Sequence, residues 1–373
     1  MKSSFMGSIN KPLALLFCLW MIVQAWLLYT NGISTNGEAQ RVIREAGNLA
    51  DGSGFSTPIY FLYSIEIILV LGITKIGAGY WFIVLIHLLL NLYALFSFFR
   101  YMRSISDLRL AMIGSILLIS CYPYQLYNDF IYTESIFFSL GILYSCYLLR
   151  TDTFSLERII KLGLFLLLLC LCRPTGLFFC GASLIYWIAR SKQPVSTWSR
   201  FGIGAVVVIA GLFLLNYLMG TGGGIQVLVP FREEQVICEV PTKISPVLPT
   251  DDSADNSIAG LMNYVTTNPQ SFSRLAWLKT KAFFGLTRSY YSTGHNLFVA
   301  GYFYSLYVLI IFGITRYWKR LPGSYIFLIS LAGIFWLAVI FSCDEWHNRF
   351  FLTLTPFIIM AAMQAFYTNK PAR

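Results

Sequence analysis

Long apolar segments follow one another along most of the chain and are separated by short polar stretches. The segments 159–171 and 203–219, for example, have no polar stripe at helical spacing. A helix that is apolar on every side is buried in lipid or in a very large core. The pattern therefore predicts an all-α protein that crosses a membrane several times. Its apolar segments are residues 12–30, 58–74, 80–99, 108–122, 133–149, 159–172, 174–189, 201–219, 297–315, 322–342 and 350–367.

The distribution of basic residues decides how many of these segments are expected to span the bilayer. If all of them did, the loop that contains Arg100 and Arg103 would lie outside, against the positive-inside rule. Segment 58–74 contains Pro58 and Glu66 and is at the lower length limit for a span. If it is a juxtamembrane or re-entrant segment instead, sixteen of the 27 Lys and Arg residues fall in short inner loops and tails. We therefore predict ten transmembrane helices with both chain ends in the cytoplasm.

This topology divides the chain into three parts. An N-terminal transmembrane module, residues 1–219, carries the outward loops 31–79 and 121–132. A long outward loop, residues 220–296, separates it from the C-terminal transmembrane helices, residues 297–373. All but three of the 17 acidic residues then lie on the outer side. Carboxylates held beside hydrocarbon are costly, so acids at the outer helix ends are expected to belong to a functional site.

Two stretches of the outward loops are expected to lie along the membrane rather than across it. The first loop contains segment 58–74, predicted as a juxtamembrane helix. In the long loop, residues 270–287 place apolar side chains at helical spacing and basic ones, such as Arg274 and Lys281, opposite them. That pattern is typical of an interfacial helix.

The composition narrows the class of protein further. Hydrophobic residues make up 57% of the chain and charged residues only 12%, about half the charged share of a soluble domain. The net charge of +10 does not indicate a nucleic-acid partner, because the basic residues lie at helix ends and form no stripe with interleaved aromatic rings. The lipid bilayer is the expected environment instead.

Cysteine, histidine and asparagine positions bear on cofactors and location. The eight cysteines include no CxxC pair, and Cys238 and Cys343 fall in outward loops, where a disulfide is compatible with the compartment. No cluster has metal-ligand spacing, so no bound metal or other cofactor is expected, and participation of a divalent cation is left open. The outward loops contain no Asn-x-Ser/Thr sequence. This favours a bacterial inner membrane, with the site facing the periplasm or exterior.

Three acidic residues beside apolar segments are the candidate catalytic groups. Glu38 shares a helical face with Arg41 and Glu45 and can deprotonate an acceptor hydroxyl if apolar surroundings tune its pKa. The alternative is that Glu38 only stabilises the first turn of a helix. Asp129 and Glu134 adjoin the start of the fourth span, where they either border a cavity or merely cap the helix.

Basic residues of the outward face complete the candidate site. Arg173 lies between two apolar runs with almost no connection, so it needs an anionic partner, either a phosphate or one of these carboxylates. Arg349 is in a similar position at the mouth of the last span. The candidate ligands of a donor phosphate or diphosphate are Arg173, Lys279, Lys281, Arg288 and Arg349. Candidate contacts to the acceptor or sugar are Arg41, Tyr132 and His347, although His347 alone is also compatible with an ordinary polar loop residue.

Several short stretches occur in a recognisable order. They are Gly37-Glu38, residues 46–55, Asp129 with Tyr132-Thr-Glu-Ser135, Arg173-Pro-Thr-Gly176, and Arg349-Phe-Phe with Pro356. Together with the predicted topology, they resemble the GT-C superfamily of polytopic glycosyltransferases, which includes protein O-mannosyltransferases and lipid A aminoarabinose transferases. The resemblance covers the whole chain as topology. Many relatives have Asp where this chain has Glu38.

The resemblance implies transfer of one sugar, with inversion, from a polyprenyl-phosphate sugar to a glycan, lipid or protein acceptor on the outer face of the membrane. Glu38 would be the general base, with Asp129 and Glu134 orienting the acceptor or replacing Glu38 in that role. Two other functions are weighed against it. An O-antigen-type polymerase places its arginines in two large outward loops, whereas here one loop is large. A secondary transporter carries charges near the bilayer midplane, whereas here they gather at one interface.

Overall fold

The computed structural model describes residues 2–150, 155–190, 228–240, 257–319 and 321–366, with a few positions between 202 and 217. Most of these residues are helical, and isolated β-bridges are the only strand-like pairings among them. The α-helices are α1 Lys2–Asn31, α2 Glu38–Ala50, α3 Ser64–Lys75, α4 Trp81–Ile105, α5 Leu108–Ser120, α6 Tyr122–Gln125, α7 Thr133–Leu149, α8 Leu156–Cys172, α9 Gly176–Arg190, α10 Val229–Arg232, α11 Ile258–Thr267, α12 Pro269–Gly285, α13 Thr293–Arg316, α14 Gly323–Phe341, α15 Arg349–Leu352 and α16 Thr355–Gln364. The 3₁₀ turns are Pro58–Tyr63, Leu126–Asp129 and Trp346–Asn348.

Several of these helices identify a multi-pass membrane protein. Within the described residues, five are long and apolar enough to cross a bilayer, and six if α5 and the bent segment after it form one broken span. The five are Lys11–Asn31, Pro58–Lys75, Trp81–Ile105, Thr293–Arg316 and Gly323–Phe341.

The ten predicted spans are not confirmed. Apolar helices α7, α9 and α16 have only 10–17 residues, fewer than the about 20 that a hydrocarbon core requires. The predicted span 201–219 lies outside the described residues apart from isolated positions. Pro58–Lys75, which combines a 3₁₀ turn with α3, itself meets the length and composition of a span. Its location along the membrane surface therefore stays a prediction.

The helix that begins at Leu108 breaks at Cys121, where the chain bends by 64°. Pro123 follows in the next turn and cannot donate a backbone hydrogen bond, so the helix cannot continue unchanged. Carbonyl groups near the break find side-chain partners: Gln125 Nε2 donates to Leu118 O at 2.9 Å, and Tyr302 Oη donates to Leu117 O at 2.7 Å. Such compensation is what permits a broken helix in an apolar environment.

The centre of the bundle is formed by α7 and α16, in which almost every residue is buried. Phe179 of α9 packs between them, with its ring centroid 5.7 Å from that of Phe137 and 6.1 Å from that of Phe357. Gly141 leaves the space for this ring, because a Cβ there would lie 3.0 Å from it. Helix α4 packs along α7, and α14 packs along α9.

Helix α2 lies on α3 as a separate amphipathic layer. Its buried apolar residues Ala39, Val42 and Ala46 follow the helical repeat and pack with Ile67 and Val70 of α3. The opposite face of α2 is polar. This packing fixes the first residue of the helix, Glu38, at the edge of the bundle.

Candidate functional site

A cavity of about 730 Å³ lies at one end of the bundle. Its walls come from the start of α2, the 3₁₀ turn Pro58–Tyr63, the start of α7, the α8–α9 turn, the segment 228–240 and the turn before α15. Elements from both ends of the chain therefore build it. Its charged lining residues are Glu38, Arg41, Arg44, Glu134, Arg173, Glu239, Glu345 and Arg349.

Glu134 is the buried anion at the base of this cavity. Its side chain is only 2% exposed. One oxygen, Oε1, accepts a hydrogen bond from Arg349 Nη1 at 3.1 Å and another from Arg173 Nη1. Both arginines are themselves buried. A buried charge is tolerated where it is paired and hydrogen-bonded, so the three groups depend on one another.

Arg349 links this buried pair to the rest of the cavity. Its Nη2 atom contacts the carboxylate of Glu345 and lies 3.7 Å from Glu38 Oε1. Glu38 also accepts a hydrogen bond from Arg41 Nη1 at 3.2 Å, and its side chain is 36% exposed. The structure thus brings the carboxylate of Glu38, from the start of the chain, next to the guanidinium of Arg349, from its end.

The backbone before Glu38 is held by contacts with the turn before α7. Ser34 N donates to Asp129 O at 3.0 Å, and Ile131 N donates to Ser34 O at 3.2 Å. Gly37 has a φ of +62°, and a Cβ there would lie 2.9 Å from the hydroxyl of Tyr132. Glycine is therefore required both by the left-handed backbone and by the close approach of this ring.

The stretch Arg173-Pro-Thr-Gly176 is the tight turn between α8 and α9. A Cβ on Gly176 would lie 2.4 Å from the backbone of Leu169, so only glycine lets the second helix start so close to the first. Because Arg173 extends from this turn, its guanidinium reaches the start of α7 and pairs with Glu134. The roles of Arg173 and Gly176 therefore explain two of the four residues of this turn.

One wall of the cavity is attached covalently. Cys238 and Cys343 form a disulfide, as the sequence allowed, with a Cα–Cα distance of 5.1 Å. Backbone hydrogen bonds flank it: Cys238 N donates to Asp344 O, and Asp344 N donates to Val236 O, both at 2.9 Å. The next residue, Glu239, lies 3.3 Å from Arg41 Nη2 across the cavity mouth.

Removal of this disulfide is expected to lower the stability of the protein. For the Cys238→Ser and Cys343→Ser double variant, we expect a loss of about 2–4 kcal/mol of stability, because a crosslink over so long a loop restricts the unfolded chain. Thermal unfolding in detergent, with and without a reducing agent, measures this. Cys18→Ser, at a free exposed cysteine, is the matched control. Equal melting temperatures for the double variant and the control would contradict the role of the crosslink.

Several predicted site residues do not line the cavity. Asp129 is fully buried, and neither of its carboxylate oxygens has a hydrogen-bond partner among the described residues. Lys281 is exposed, with its Nζ 5.4 Å from the Trp277 ring centroid. His347 is exposed and does not line the cavity, although Glu345 of the same turn does.

Lys279 and Arg288 do not line the cavity but contact other parts of the protein. Lys279 Nζ donates to the carbonyls of Ile340 and Ser342 at the end of α14, and lies 4.0 Å from the ring of Phe231. Burial lowers the pKa of Lys279 to about 7. Arg288 is buried against the Asp344 carboxylate and donates to Ala282 O at 2.7 Å. Both side chains therefore fasten the ends of helices.

Other cavity residues were not expected from the sequence. Glu345 stands four residues before Arg349, a spacing that signals an ion pair on a helix, and this signal was available. Glu239 carries no comparable signal, because only the disulfide brings it to Arg41. The hydroxyl of Thr175 and Nε of Arg349, both in cavity-lining residues, have no hydrogen-bond partner among the described residues.

In the part of the chain that the structure describes, no group of three or more His, Cys, Asp or Glu side chains is placed to hold a metal ion. Comparison with protein-family models, curated proteins and solved structures finds no match for this chain.

Proposed function

We propose that the protein is an integral membrane glycosyltransferase that moves a sugar from a polyprenyl-phosphate donor to an acceptor on the outer face of the membrane. The observation that carries the proposal is the 3.7 Å separation between Glu38 Oε1 and Arg349 Nη2 in a cavity at the end of apolar helices. A partly exposed acid beside a guanidinium supplies a base for the acceptor and a cation for the leaving phosphate.

Among the acids of the cavity, Glu38 fits the role of base best. Glu134 is enclosed by two arginines and serves to orient them. Glu345 is engaged with Arg349, and Glu239 lies on the outer wall. In the proposed step, Glu38 accepts the proton of the acceptor hydroxyl. At the same time, the oxygen of that hydroxyl bonds to the anomeric carbon. The bond from that carbon to the donor phosphate breaks, and polyprenyl phosphate leaves with the electron pair.

Arginines of the cavity suit the phosphate of the donor. Arg173 neutralises Glu134, while Nε of Arg349 has no partner among the described residues. Arg41 and Arg44 line the cavity with partly exposed side chains. Guanidinium groups hold phosphate oxygens in paired hydrogen bonds. We therefore place the donor phosphate between Arg349 and the start of α2, rather than at Lys279, Lys281 or Arg288.

The disulfide supports the proposed side of the membrane. Disulfides persist in oxidising compartments such as the bacterial periplasm and are rare in the cytosol. The Cys238–Cys343 bond forms part of the cavity wall, which supports our placement of the cavity on the outer side. A bacterial inner membrane, with ten spans and segment 58–74 lying at the surface, completes the proposal.

Donor binding tests this function directly. A short-chain polyprenyl-phosphate hexose should raise the melting temperature of the detergent-solubilised protein, because a ligand specific to the folded state stabilises it by about 2.7 kcal/mol at 100 times its Kd. Arg41→Gln should weaken this effect, and Lys75→Gln, at a basic residue that does not line the cavity, should leave it intact. Absence of any stabilisation of the unmodified protein would refute the proposal.

A further inference from the structure

A cluster of aromatic rings lies beside the cavity but does not line it. We call it the aromatic platform and define it as Tyr290, Tyr291, His295, Trp346 and His347. Neighbouring rings lie close together: Tyr290 and Trp346 at 5.2 Å, Tyr290 and Tyr291 at 4.8 Å, and Tyr291 and His295 at 4.1 Å between centroids. None of the five side chains is buried, and Tyr290 is 43% exposed. The result is a continuous, accessible set of rings.

The platform and the cavity share one turn of the chain. Glu345 and Arg349 of this turn line the cavity, whereas Trp346 and His347 between them do not. The turn is unusual, because His347 and Asn348 both have left-handed backbones, with φ of 57° and 58°. Such strain in consecutive residues other than glycine persists only where surrounding contacts enforce it.

Contacts from the residues after α12 enforce this turn. Asn348 Nδ2 donates to Leu286 O at 2.8 Å, and Arg288 pairs with Asp344. The turn is therefore held from both sides. The rings of Trp346 and His347 project from a rigid support, as a binding surface for a ring-shaped ligand requires.

The chemistry of the platform suits a carbohydrate. A pyranose ring has an apolar C–H face, which packs on the electron-rich face of an aromatic ring. Its rim of hydroxyl groups needs donors and acceptors, and an imidazole supplies both. The platform combines three aromatic rings with two imidazoles. His295 is additionally oriented by a hydrogen bond between its Nδ1 and the Tyr122 hydroxyl at 2.5 Å.

We propose that the aromatic platform binds a sugar unit of the acceptor, so that the acceptor of this protein is a glycan. This inference rests on the proposed function, since it concerns the substrate that receives the sugar at the neighbouring cavity. An acceptor chain stacked on Trp346 and Tyr290 reaches the cavity along the turn that carries Glu345. Its terminal hydroxyl then meets Glu38 across the cavity.

The test measures binding of soluble trisaccharides (mannotriose, cellotriose and chitotriose) to the full-length protein in nanodiscs. We expect at least one of them to bind. Tyr290→Ala and Trp346→Ala should each weaken that binding about fivefold, the loss expected for one aromatic contact, and Trp346→Phe should retain most of it. Trp277→Ala, at an exposed tryptophan outside the platform, is the matched control and should bind like the unmodified protein.

Two results of the binding measurement overturn the proposal: no binding of any trisaccharide to the unmodified protein, or binding that survives both alanine substitutions. A third outcome would also overturn it. If brominated lipids quench the tryptophan emission of the unmodified protein and Trp346→Phe abolishes this quenching, the platform lies in the bilayer. Donor stabilisation is measured in the same variants and should be unchanged. Failure of the donor to bind the unmodified protein would refute the glycosyltransferase function itself, separately from the platform.

Discussion

Replacement of Glu38 by Gln is expected to lower the rate of sugar transfer by about 100- to 10,000-fold. The amide keeps the size and hydrogen-bonding shape of the side chain but cannot accept the proton of the acceptor, and general-base catalysis contributes an effect of this magnitude. Folding should be little affected, because the ion pair of Glu38 with Arg41 is partly exposed and such pairs contribute about 1 kcal/mol or less. Transfer of a radiolabelled hexose from a polyprenyl-phosphate donor provides the assay.

Two further variants make this experiment decisive. Glu157→Gln removes an exposed carboxylate that pairs with Lys161 and does not line the cavity, so it should retain full activity. Glu38→Asp keeps a base but shortens its reach, so it should lose less activity than Glu38→Gln. If Glu38→Gln were as active as Glu157→Gln while donor binding persisted, the base would have to be another carboxylate of the cavity, with Glu345 the nearest to Arg349.

The sequence indicated which charged residues need partners, but not which residues those partners are. A carboxylate or guanidinium beside an apolar segment needs a partner. The sequence therefore predicts a polar or charged partner for each of Glu38, Glu134, Arg173 and Arg349. The structure joins all four in one cavity. The pairing could not be read from the sequence, because it depends on how closely α8 and α9 approach at Gly176.

The surroundings of other candidate residues could not be predicted, because a sequence pattern shows where a charge lies along the chain but not which residues contact it in the fold. Lys279 is on the basic side of an amphipathic helix, and only the tertiary packing shows that its ammonium group meets the end of α14. Asp129 is the last residue of a 3₁₀ turn, and the extended residue Phe130 follows it. Asp129 therefore lies inside the bundle, whereas Glu134 lines the cavity. The apolar segment 350–367 likewise does not indicate how short helix α16 is.

Replacement of Glu134 by Gln should destabilise the protein by about 3–5 kcal/mol, the cost of breaking a buried ion pair and leaving an uncompensated charge. Among the described residues, Glu134 is the only anion paired with Arg173, so that guanidinium would remain buried without a counter-charge. Thermal unfolding should show a fall in melting temperature of about 5 °C. Glu157→Gln is again the matched control, because its carboxylate is exposed and its loss should shift the melting temperature little.

A second substitution separates the structural role of Glu134 from its role in the site. In the Glu134→Gln, Arg173→Met double variant the stranded cation is gone, so most of the lost stability should return, as when buried ion pairs are replaced by apolar side chains. Sugar transfer should nevertheless remain low, because Arg349 then lacks the carboxylate that holds its Nη1 atom in the cavity. Recovery of both stability and activity would mean that the Arg173–Glu134 pair only supports the bundle. Recovery of stability alone assigns the pair to the placement of Arg349, which connects the buried charges to the acid that we expect to act as the base.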